Sequence, residues 1–423
     1  MYVRVYSVTI SHMSFFRFIY LSNVTNSNWL VVITLFVAAA ISIGPGYAFG
    51  LFIEPLEGTF GWSRTAISAS LSFAAIGNLT APIIGRLMDR HGSRLVITFS
   101  LIIMGISFLM RPLITELWHW YALSFVQYCA FSGATGLPTG RLVSLWFPET
   151  RGRIMGLTLM GNNFGGFVVP LLIGSLLASG QWEYAFLFLG GLTCIIALIS
   201  LIVVCEPNDI STNEKSKNET NQATNPYISG VTLREALQDS TFYLLGISLM
   251  LGSFTYSSIL SQVSDHLISK GMEQSIVPLA ISLLAIFGMM GKLSFGYLSE
   301  KFTARRMMII SLLGQSIFIC LMVIFPKPPI AWIVVPLFGL FMGSYGALFS
   351  LVIQEAFGLR HFGSIAGSMS MITVISALTG PFISGISFDV TGSYGTAFIL
   401  VAILFTISAI FLTKIRLLPT SIK

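Results

Sequence analysis

The sequence predicts an all-α membrane protein with twelve transmembrane helices arranged as two six-helix halves. Three observations lead to this prediction. Of the 423 residues, 54% are hydrophobic and only 9% are charged, whereas a soluble domain carries about 25% charged residues. The chain also contains twelve apolar runs near the length of about 20 residues that a helix needs to cross a bilayer. Finally, the two halves of the chain match one another at a fixed offset of 211 residues.

The twelve apolar runs divide evenly between the halves of the chain. In the first half they are Trp29–Ile53, Thr65–Met88, Leu95–Leu113, Trp118–Phe147, Gly152–Ala178 and Tyr184–Val204. In the second half they are Phe242–Leu267, Gln274–Leu298, Met307–Phe325, Ile330–Leu351, Gly363–Phe388 and Tyr394–Thr413. The runs therefore predict an N-terminal arm (residues 1–28), a six-helix half (29–205), a polar linker (206–241), a second six-helix half (242–413) and a short tail (414–423).

Lysine and arginine are distributed unevenly between the two sides of the predicted membrane protein. If the N-terminus is cytoplasmic, 18 of the 23 Lys and Arg residues fall on the cytoplasmic side and one, Lys292, falls within a span. Only Arg64, Arg111, Lys270 and Lys327 fall on the other side. Because cytoplasmic loops carry the excess of Lys and Arg, both termini and the linker are predicted to be cytoplasmic, in a plasma or inner membrane. The basic residues lie in short loops rather than in one stripe, so no nucleic acid partner is expected.

The internal repeat keeps one register over loops and helices that lie far apart in the chain. Adding 211 matches Gly85 with Gly296, Asp89 with Glu300, Arg90 with Lys301, Arg94 with Arg305, Gly152 with Gly363, Gly156 with Gly367, Pro170 with Pro381 and Gly174 with Gly385. An even number of helices in each half gives both copies the same topology, which is a parallel repeat. Such repeats place the substrate site between the halves near the membrane midplane, and alternating access moves one half against the other.

One loop motif carries a resemblance to a known family. The stretch Gly85-Arg-Leu-Met-Asp89-Arg90-His-Gly92-Ser-Arg94 resembles the cytoplasmic loop motif G-x-x-x-D-R-x-G-x-[RK] of the major facilitator superfamily, between the second and third spans. The copy in the second half departs from the motif, because Glu300 replaces Asp and Thr303 stands where Gly is expected. The resemblance implies a gate whose candidate residues are Gly85, Asp89, Arg90, Gly92, Arg94, Arg151, Glu300 and Arg305.

The gate motif leads to two expectations about contacts. Asp89 can bind the N-terminus of a helix, where backbone N–H groups and the helix dipole favour an anion. Arg90 can bind a carboxylate in the other half of the molecule. Both contacts would stabilise one of the two states of an alternating-access cycle.

Two further regions resemble one branch of this superfamily. They are Tyr47-Ala-Phe-Gly50-Leu-Phe-Ile-Glu54-Pro55 with Phe60-Gly61-Trp62-Ser63-Arg64, and Phe357-Gly-Leu-Arg360-His361-Phe-Gly363 with Phe388-Asp389-Val-Thr391-Gly392. These stretches are similar to the monocarboxylate transporters and their bacterial oxalate/formate relatives. The resemblance implies a secondary active transporter that moves a small organic anion by proton symport or anion exchange. The expected partners are a small carboxylate substrate, the lipid bilayer and protons, and a monomer is expected.

Lys292 is the residue with the most specific chemistry. It lies inside the eighth predicted span, where a buried ammonium costs about 2.5 to 3.5 kcal/mol. Its repeat partner is Ala81, so the fold does not require a charge at this position. We interpret Lys292 as an anchor for a substrate carboxylate, in agreement with relatives that carry a substrate-contacting cation here. The alternative is a side chain that extends to the nearer membrane interface. With Gly288 one turn earlier and no cation in the eleventh span, a single carboxylate per substrate is favoured.

Polar residues in the spans that line the cavity of this superfamily are the remaining substrate-binding candidates. They are Tyr47, Gln127, Tyr128, Asn162, Tyr256, Gln262 and Tyr345. Aromatic and amide groups can bracket a small organic anion and donate hydrogen bonds to it. Each can equally serve in hydrogen bonds between helices. Asn162 and Asn163 are adjacent and point about 100° apart on a helix, so at most one is expected to face the cavity.

The sequence does not favour the other classes of function that a membrane protein can have. It contains no phosphate-binding loop, metal-ligand cluster or nucleophile triad, so neither an enzyme nor a cofactor is predicted. An exporter of neutral or amphipathic solutes is the main alternative, although such a protein would be expected to carry acidic residues at midspan. A transporter-like sensor is a further alternative, but the tail Lys414–Lys423 is short for signalling.

Overall fold

The computed structural model describes residues 24–177, 181–206, 230–273, 275–324 and 328–417. Most of the predicted arm and linker, and the end of the predicted tail, lie outside these residues. Within the described ranges the chain is helical, apart from an isolated bridge between Gly230 and Gly358. The all-α fold that the sequence predicts is therefore confirmed.

Eleven helices in the described part of the chain are long and apolar enough to cross a membrane. We number the spans 1 to 12 in chain order and keep number 4 for a divided helix. Spans 1 to 3 are Asn28–Phe60, Arg64–His91 and Ser93–Leu113, and spans 5 and 6 are Arg151–Leu177 and Trp182–Val203. Spans 7 to 12 are Ser240–Ile259, Val277–Lys301, Ala304–Ile324, Pro329–Phe357, Phe362–Thr391 and Gly395–Thr413.

Span 4 consists of two helices, Leu117–Ala134 and Gly136–Trp146, where the sequence predicts one run. They meet at Thr135, whose φ of −136° and ψ of −83° lie outside the helical region. Pro138 contributes to this break, because it has no N–H to donate to the carbonyl of Ala134. The break brings irregular backbone to the membrane interior, where Thr135 and Gly136 line a cavity.

Close glycine contacts join the two halves at one end of the molecule. A Cβ atom added to Gly85 in span 2 would lie 1.9 Å from the carbonyl oxygen of Gly363 in span 11. A Cβ atom added to Gly152 in span 5 would lie 2.1 Å from the carbonyl oxygen of Gly296 in span 8. The 211-residue offset converts each of these pairs into the other, so the halves are arranged as a parallel repeat requires. We call this the Asp89 end, and the opposite end of span 3 the Arg111 end.

The apolar side chains are divided between the interior and the lipid-facing surface. A large core extends through both halves, and a second core fills the Arg111 end of the first half around Phe52, Phe108, Trp120 and Phe186. Other large apolar side chains, including Phe167 in span 5, are exposed on the surface of the helix bundle. Such a surface is stable only where lipid replaces water as the solvent.

Candidate functional site

A cavity of about 450 Å³ lies between the two halves of the molecule. Spans 1, 2, 4 and 5 line it from the first half, and spans 7, 8, 10 and 11 line it from the second. Its polar lining residues are Tyr47, Asn78, Ser132, Thr135, Asn162, Asn163, Ser253, Tyr256, Lys292, Tyr345, Ser350, Ser370 and Thr373. Among the described residues that line it, Lys292 is the only one with a charge.

Lys292 reaches across the cavity wall from span 8 to span 5. Its side chain is buried, and its Nζ donates hydrogen bonds to the carbonyl oxygen of Leu159, at 3.1 Å, and to Oδ1 of Asn163. None of the ion pairs in the described ranges involves Lys292. An ammonium has three donors, so these two neutral acceptors leave one donor and the whole positive charge uncompensated.

The internal repeat places the same backbone contact in both halves, but only the copy at Lys292 carries a cation. A Cβ atom added to Gly156 in span 5 would lie 2.3 Å from the carbonyl oxygen of Lys292. In the repeat, a Cβ atom added to Gly367 would lie 2.3 Å from the carbonyl oxygen of Ala81. The same close helix contact therefore forms with alanine at the position equivalent to lysine. Helix packing does not explain the lysine, which leaves its charge to be explained by what enters the cavity.

Three of the predicted tyrosines line the cavity, and they differ in how free their hydroxyl groups are. Tyr345 is 5% exposed and its hydroxyl donates to the carbonyl oxygen of Leu249, so this group is committed to the fold. Tyr47 and Tyr256 are 59% and 41% exposed. The rings of Tyr256 and Tyr345 stand 6.1 Å apart in an edge-on arrangement, which orients Tyr256. Tyr47 and Tyr256 are thus the more exposed of the three tyrosines that line the cavity.

Both asparagines of span 5 line the cavity, so the expectation that at most one would do so is wrong. Span 5 therefore presents more than one row of side chains to the cavity. Asn163, which binds Lys292, was not among the candidates from sequence. The sequence held a signal for Asn163. Gly156 is one of the repeated glycines and contacts span 8, and Asn163 lies seven residues later on the same face of the helix.

Three predicted candidates lie away from the central cavity. Gln127 and Tyr128 line a separate cavity of about 30 Å³ inside the first half, beside Arg111. Gln262 follows the π-helical segment Thr255–Ile259 at the end of span 7, is half-buried and lines neither cavity. Gln127 and Tyr128 lie in the first of the two helices of span 4, which lines the small cavity, and Gln262 lies beyond the π-helical segment of span 7.

Asp89 binds the first residues of span 11 in the other half. Its Oδ1 accepts a hydrogen bond from the N–H of Gly363 at 2.9 Å. Its Oδ2 accepts from the N–H of Ser364 at 2.7 Å and from the hydroxyl of Ser364 at 2.5 Å. A carboxylate at this position satisfies unpaired N–H groups of the helix terminus and interacts favourably with the helix dipole.

Arg141 forms two ion pairs at this end, both with carboxylates of its own half. Arg141 Nη1 lies 3.2 Å from Asp89 Oδ1, and its Nε lies 3.1 Å from Glu206 Oε1. Arg90 is exposed and takes part in no ion pair of the described part of the chain. The contact expected of Arg90 is therefore not made in this arrangement of the two halves and stays a prediction, whereas Arg141 on span 4 points inward to the two carboxylates.

Glu206 completes this cluster at the end of span 6. Its Oε1 accepts hydrogen bonds from the N–H and the hydroxyl of Ser93, both at 2.8 Å. Burial raises the pKa of Glu206, but the charge of Arg141 and the hydrogen bonds from Ser93 outweigh burial, so its pKa lies below the usual value. Arg141 therefore lies between the carboxyl groups of Glu206 and Asp89, and Asp89 contacts the other half.

The second copy of the motif makes a related but smaller set of contacts. Glu300 Oε1 accepts from the N–H of Arg153 at 2.8 Å, at the beginning of span 5, and Glu300 Oε2 lies 3.6 Å from Arg153 Nε. Glu300 therefore contacts span 5 as Asp89 contacts span 11.

The remaining gate candidates form no ion pair among the described residues. Arg94 and Arg305 donate to the carbonyl oxygens of Leu201 at 2.6 Å and Ile415 at 2.7 Å, each within its own half. Gly92 has a φ of 83° and forms the turn between spans 2 and 3. Arg151 is half-buried and takes part in none of the ion pairs in the described part of the chain.

The arrangement of spans, central cavity and paired end contacts defines a transporter built from two six-span halves. The model of the Major Facilitator Superfamily matches residues 31–372 and 243–421, and the chain belongs to this superfamily. It is a multi-pass membrane protein that transports a small molecule, and it is not an enzyme. The predicted family is confirmed.

Individual relatives are distant but cover most of the chain. Monocarboxylate transporter 12 of Mus musculus is 22% identical over 421 residues, which cover 92% of this chain and 85% of that protein. The hexuronate transporter of Bacillus subtilis (strain 168) is 22% identical over 393 residues, covering 88% and 90% respectively. The proton:xylose symporter XylE bound to 6-bromo-6-deoxy-D-glucose has a TM-score of 0.73 at 13% identity, over 93% of this chain and 97% of that chain. This last likeness shows the fold alone.

Proposed function

We propose that the protein is a secondary active transporter of small organic anions with one carboxylate, which it moves by alternating access. The observation that carries the proposal is the single uncompensated ammonium of Lys292 in the cavity lining. A monoanion would neutralise this charge, whereas a dianion would leave a negative charge in the membrane interior. The names of two relatives, a monocarboxylate transporter and a hexuronate transporter, agree with an anionic substrate.

The contacts between the halves support a two-state cycle. The glycine contacts and the hydrogen bonds of Asp89 and Glu300 join the halves at the Asp89 end. While these contacts close the Asp89 end, the cavity would take up solute from the Arg111 end. When the contacts separate, the cavity would release the solute at the Asp89 end. On this proposal the Asp89 end is cytoplasmic, the transporter is a monomer in the plasma or inner membrane, and proton symport or anion exchange drives the cycle.

The size of the cavity favours a second, narrower candidate within the same class. A volume of about 450 Å³ lies in the range of about 300 to 1,000 Å³ that holds ligands larger than a three-carbon acid. Asparagine, serine and tyrosine side chains surround Lys292 and can bind hydroxyl groups. A sugar acid would use both features, since its carboxylate would pair with Lys292 and its hydroxyl groups with the polar lining.

Substrate affinity of Lys292 variants tests the proposed function. Removing one partner of such a charge pair costs about 2 to 5 kcal/mol, and each 1.4 kcal/mol is tenfold in affinity. Lys292→Ala and Lys292→Gln should therefore weaken carboxylate binding by about thirtyfold or more, while Lys292→Arg keeps the charge and part of the affinity. Affinities for lactate and glucuronate are to be measured with purified protein in detergent.

The matched control is Lys301→Gln, which removes a lysine at the end of the same span, where it contacts the ring of Tyr297. This variant should bind as wild type does. Equal affinity of wild type and Lys292→Ala would mean that Lys292 is not the anchor. Binding of neutral glucose as tight as that of glucuronate would favour the neutral-solute alternative.

A further inference from the structure

Arg111 is a second buried cation, and it lies outside the central cavity. It stands at the end of span 3, is 5% exposed and lines the cavity of about 30 Å³ inside the first half. None of the ion pairs in the described part of the chain includes Arg111. A buried guanidinium without a carboxylate is uncommon, because the charge has lost its water and gained no counter-ion.

The neighbours of Arg111 satisfy only part of its hydrogen-bonding capacity. Its Nη2 donates to Oε1 of Gln127 at 2.8 Å and to the hydroxyl of Ser124 at 3.3 Å. Its guanidinium carbon lies 4.1 Å from the centre of the Trp120 ring and 5.0 Å from that of Phe186. The ring faces stabilise the charge but offer no in-plane acceptor, and the buried Nε has no hydrogen-bond partner.

Among the other polar residues of the lining, the two serines have committed their hydroxyl protons, whereas Gln127 and Tyr128 carry further donors. The hydroxyls of Ser70 and Ser124 donate to the carbonyl oxygens of Ile67 and Trp120 at the wall. Because Arg111 can only donate, Gln127 turns its oxygen to Arg111, and its NH₂ group remains available. Tyr128 lines the same cavity and carries a hydroxyl that can also donate. The cavity thus combines one positive charge with uncommitted donors.

We propose that this cavity binds one small monovalent anion of the size of chloride. About 10 to 15 Å³ of such space is enough for one water molecule, so a cavity of about 30 Å³ admits a monatomic anion. It is much smaller than the cavity of about 450 Å³ at Lys292, which separates the two sites. A bound chloride would accept hydrogen bonds from Nε of Arg111 and from the amide of Gln127, and would neutralise the buried charge. This proposal does not rest on the proposed substrate.

Binding of radioactive chloride to the purified full-length protein, in a gluconate background, tests the proposal. We expect saturable binding of one chloride per chain and a thermal unfolding midpoint that rises with chloride concentration, because a ligand of the folded state stabilises it. Gln127→Glu places a carboxylate where Gln127 now accepts from Arg111, with little change of shape. This variant should lose chloride binding, and its Tm should no longer depend on chloride.

Two controls separate this site from other cations. Arg64→Gln removes an arginine near the same end that is 69% exposed, and it should bind chloride as wild type does. Lys292→Ala should also keep chloride binding, whatever it does to carboxylate binding. Absence of saturable chloride binding in wild type would overturn the proposal, as would loss of binding in Lys292→Ala together with retention in Gln127→Glu, which would assign the anion to the central cavity.

Discussion

The pair formed by Lys292 and Asn163 determines how much positive charge the central cavity presents. Asn163 offers an amide oxygen, which stabilises the ammonium without neutralising it. The same position with a carboxylate would hold a permanent counter-ion. The asparagine contact therefore holds Lys292 in place without neutralising its charge, which on the proposed function is left for a solute. Replacing the amide nitrogen of Asn163 by oxygen, as in aspartate, would add a counter-charge.

Asn163→Asp should convert the solute-binding cation into an internal ion pair. We expect carboxylate affinity to fall by at least about tenfold, since the attraction between Lys292 and a substrate carboxylate is then opposed by a neighbouring negative charge. Asn162→Asp places the same charge on the adjacent residue, which does not contact Lys292, and should have the smaller effect. Affinity measured in detergent for both variants decides the matter, and an equal loss in both would contradict the role given to Asn163.

For individual residues, the sequence predicted which chemical groups matter better than it predicted which way their side chains point. Lys292 could be predicted because a charge inside an apolar run is costly and its repeat partner is alanine. The choice of Asn162 over Asn163, and the carboxylate contact expected of Arg90, depended on which way a side chain points. That direction follows from the packing of neighbouring helices, which no pattern within a single span contains.

At the Asp89 end, carboxylate side chains bind the N–H groups at the beginnings of helices. Asp89 satisfies N–H groups at the start of span 11, and Glu206 does the same for Ser93 at the start of span 3. Arg141 lies between the two carboxylates, and its side chain is 10% exposed while that of Asp89 is 8% exposed. One arginine on the divided span 4 thus joins two carboxylates of the first half, and one of these, Asp89, binds the second half.

Removal of Arg141 should weaken the contacts between helices at the Asp89 end, because both of its ion pairs would be lost. Breaking a buried ion pair by removing one partner typically costs about 3 to 5 kcal/mol. Arg141→Gln should therefore lower Tm and slow transport, whereas Arg90→Gln should change neither, because Arg90 is exposed. Tm of purified protein and initial uptake rates in proteoliposomes provide the measurements. A stronger effect of Arg90→Gln than of Arg141→Gln would refute the assignment made here.

For the whole molecule, the length of the apolar runs and the 211-residue offset were sufficient to predict the fold. Glycine contacts related by the same offset agree with the parallel repeat. The sequence could not predict that span 4 is divided, because Pro138 lies in a run that remains apolar on both sides of the break. Hydrophobic pattern thus determines which segments cross the membrane, and local backbone chemistry determines which of them bend.

The orientation of the molecule in its membrane remains a prediction, and the structure offers two residues to test it. Arg64 begins span 2 at the Arg111 end, and Lys301 ends span 8 at the Asp89 end. In a background without Cys129, Cys194, Cys205 and Cys320, a membrane-impermeant maleimide should label Arg64→Cys in intact cells. Lys301→Cys should be labelled only after the cells are permeabilised. The reverse pattern would invert the topology.

The duplication of the backbone around position 292, with alanine in one copy and lysine in the other, gives the cavity a polarity that its architecture alone lacks. If Lys292 binds the substrate as proposed, a solute with one charged end would bind in a single orientation, with that end at the ammonium beside span 5. Its two ends would then meet different surroundings and could be selected independently. A solute with two identical charged ends would gain no affinity from its second charge. The asymmetric cavity wall would also distinguish mirror-image solutes.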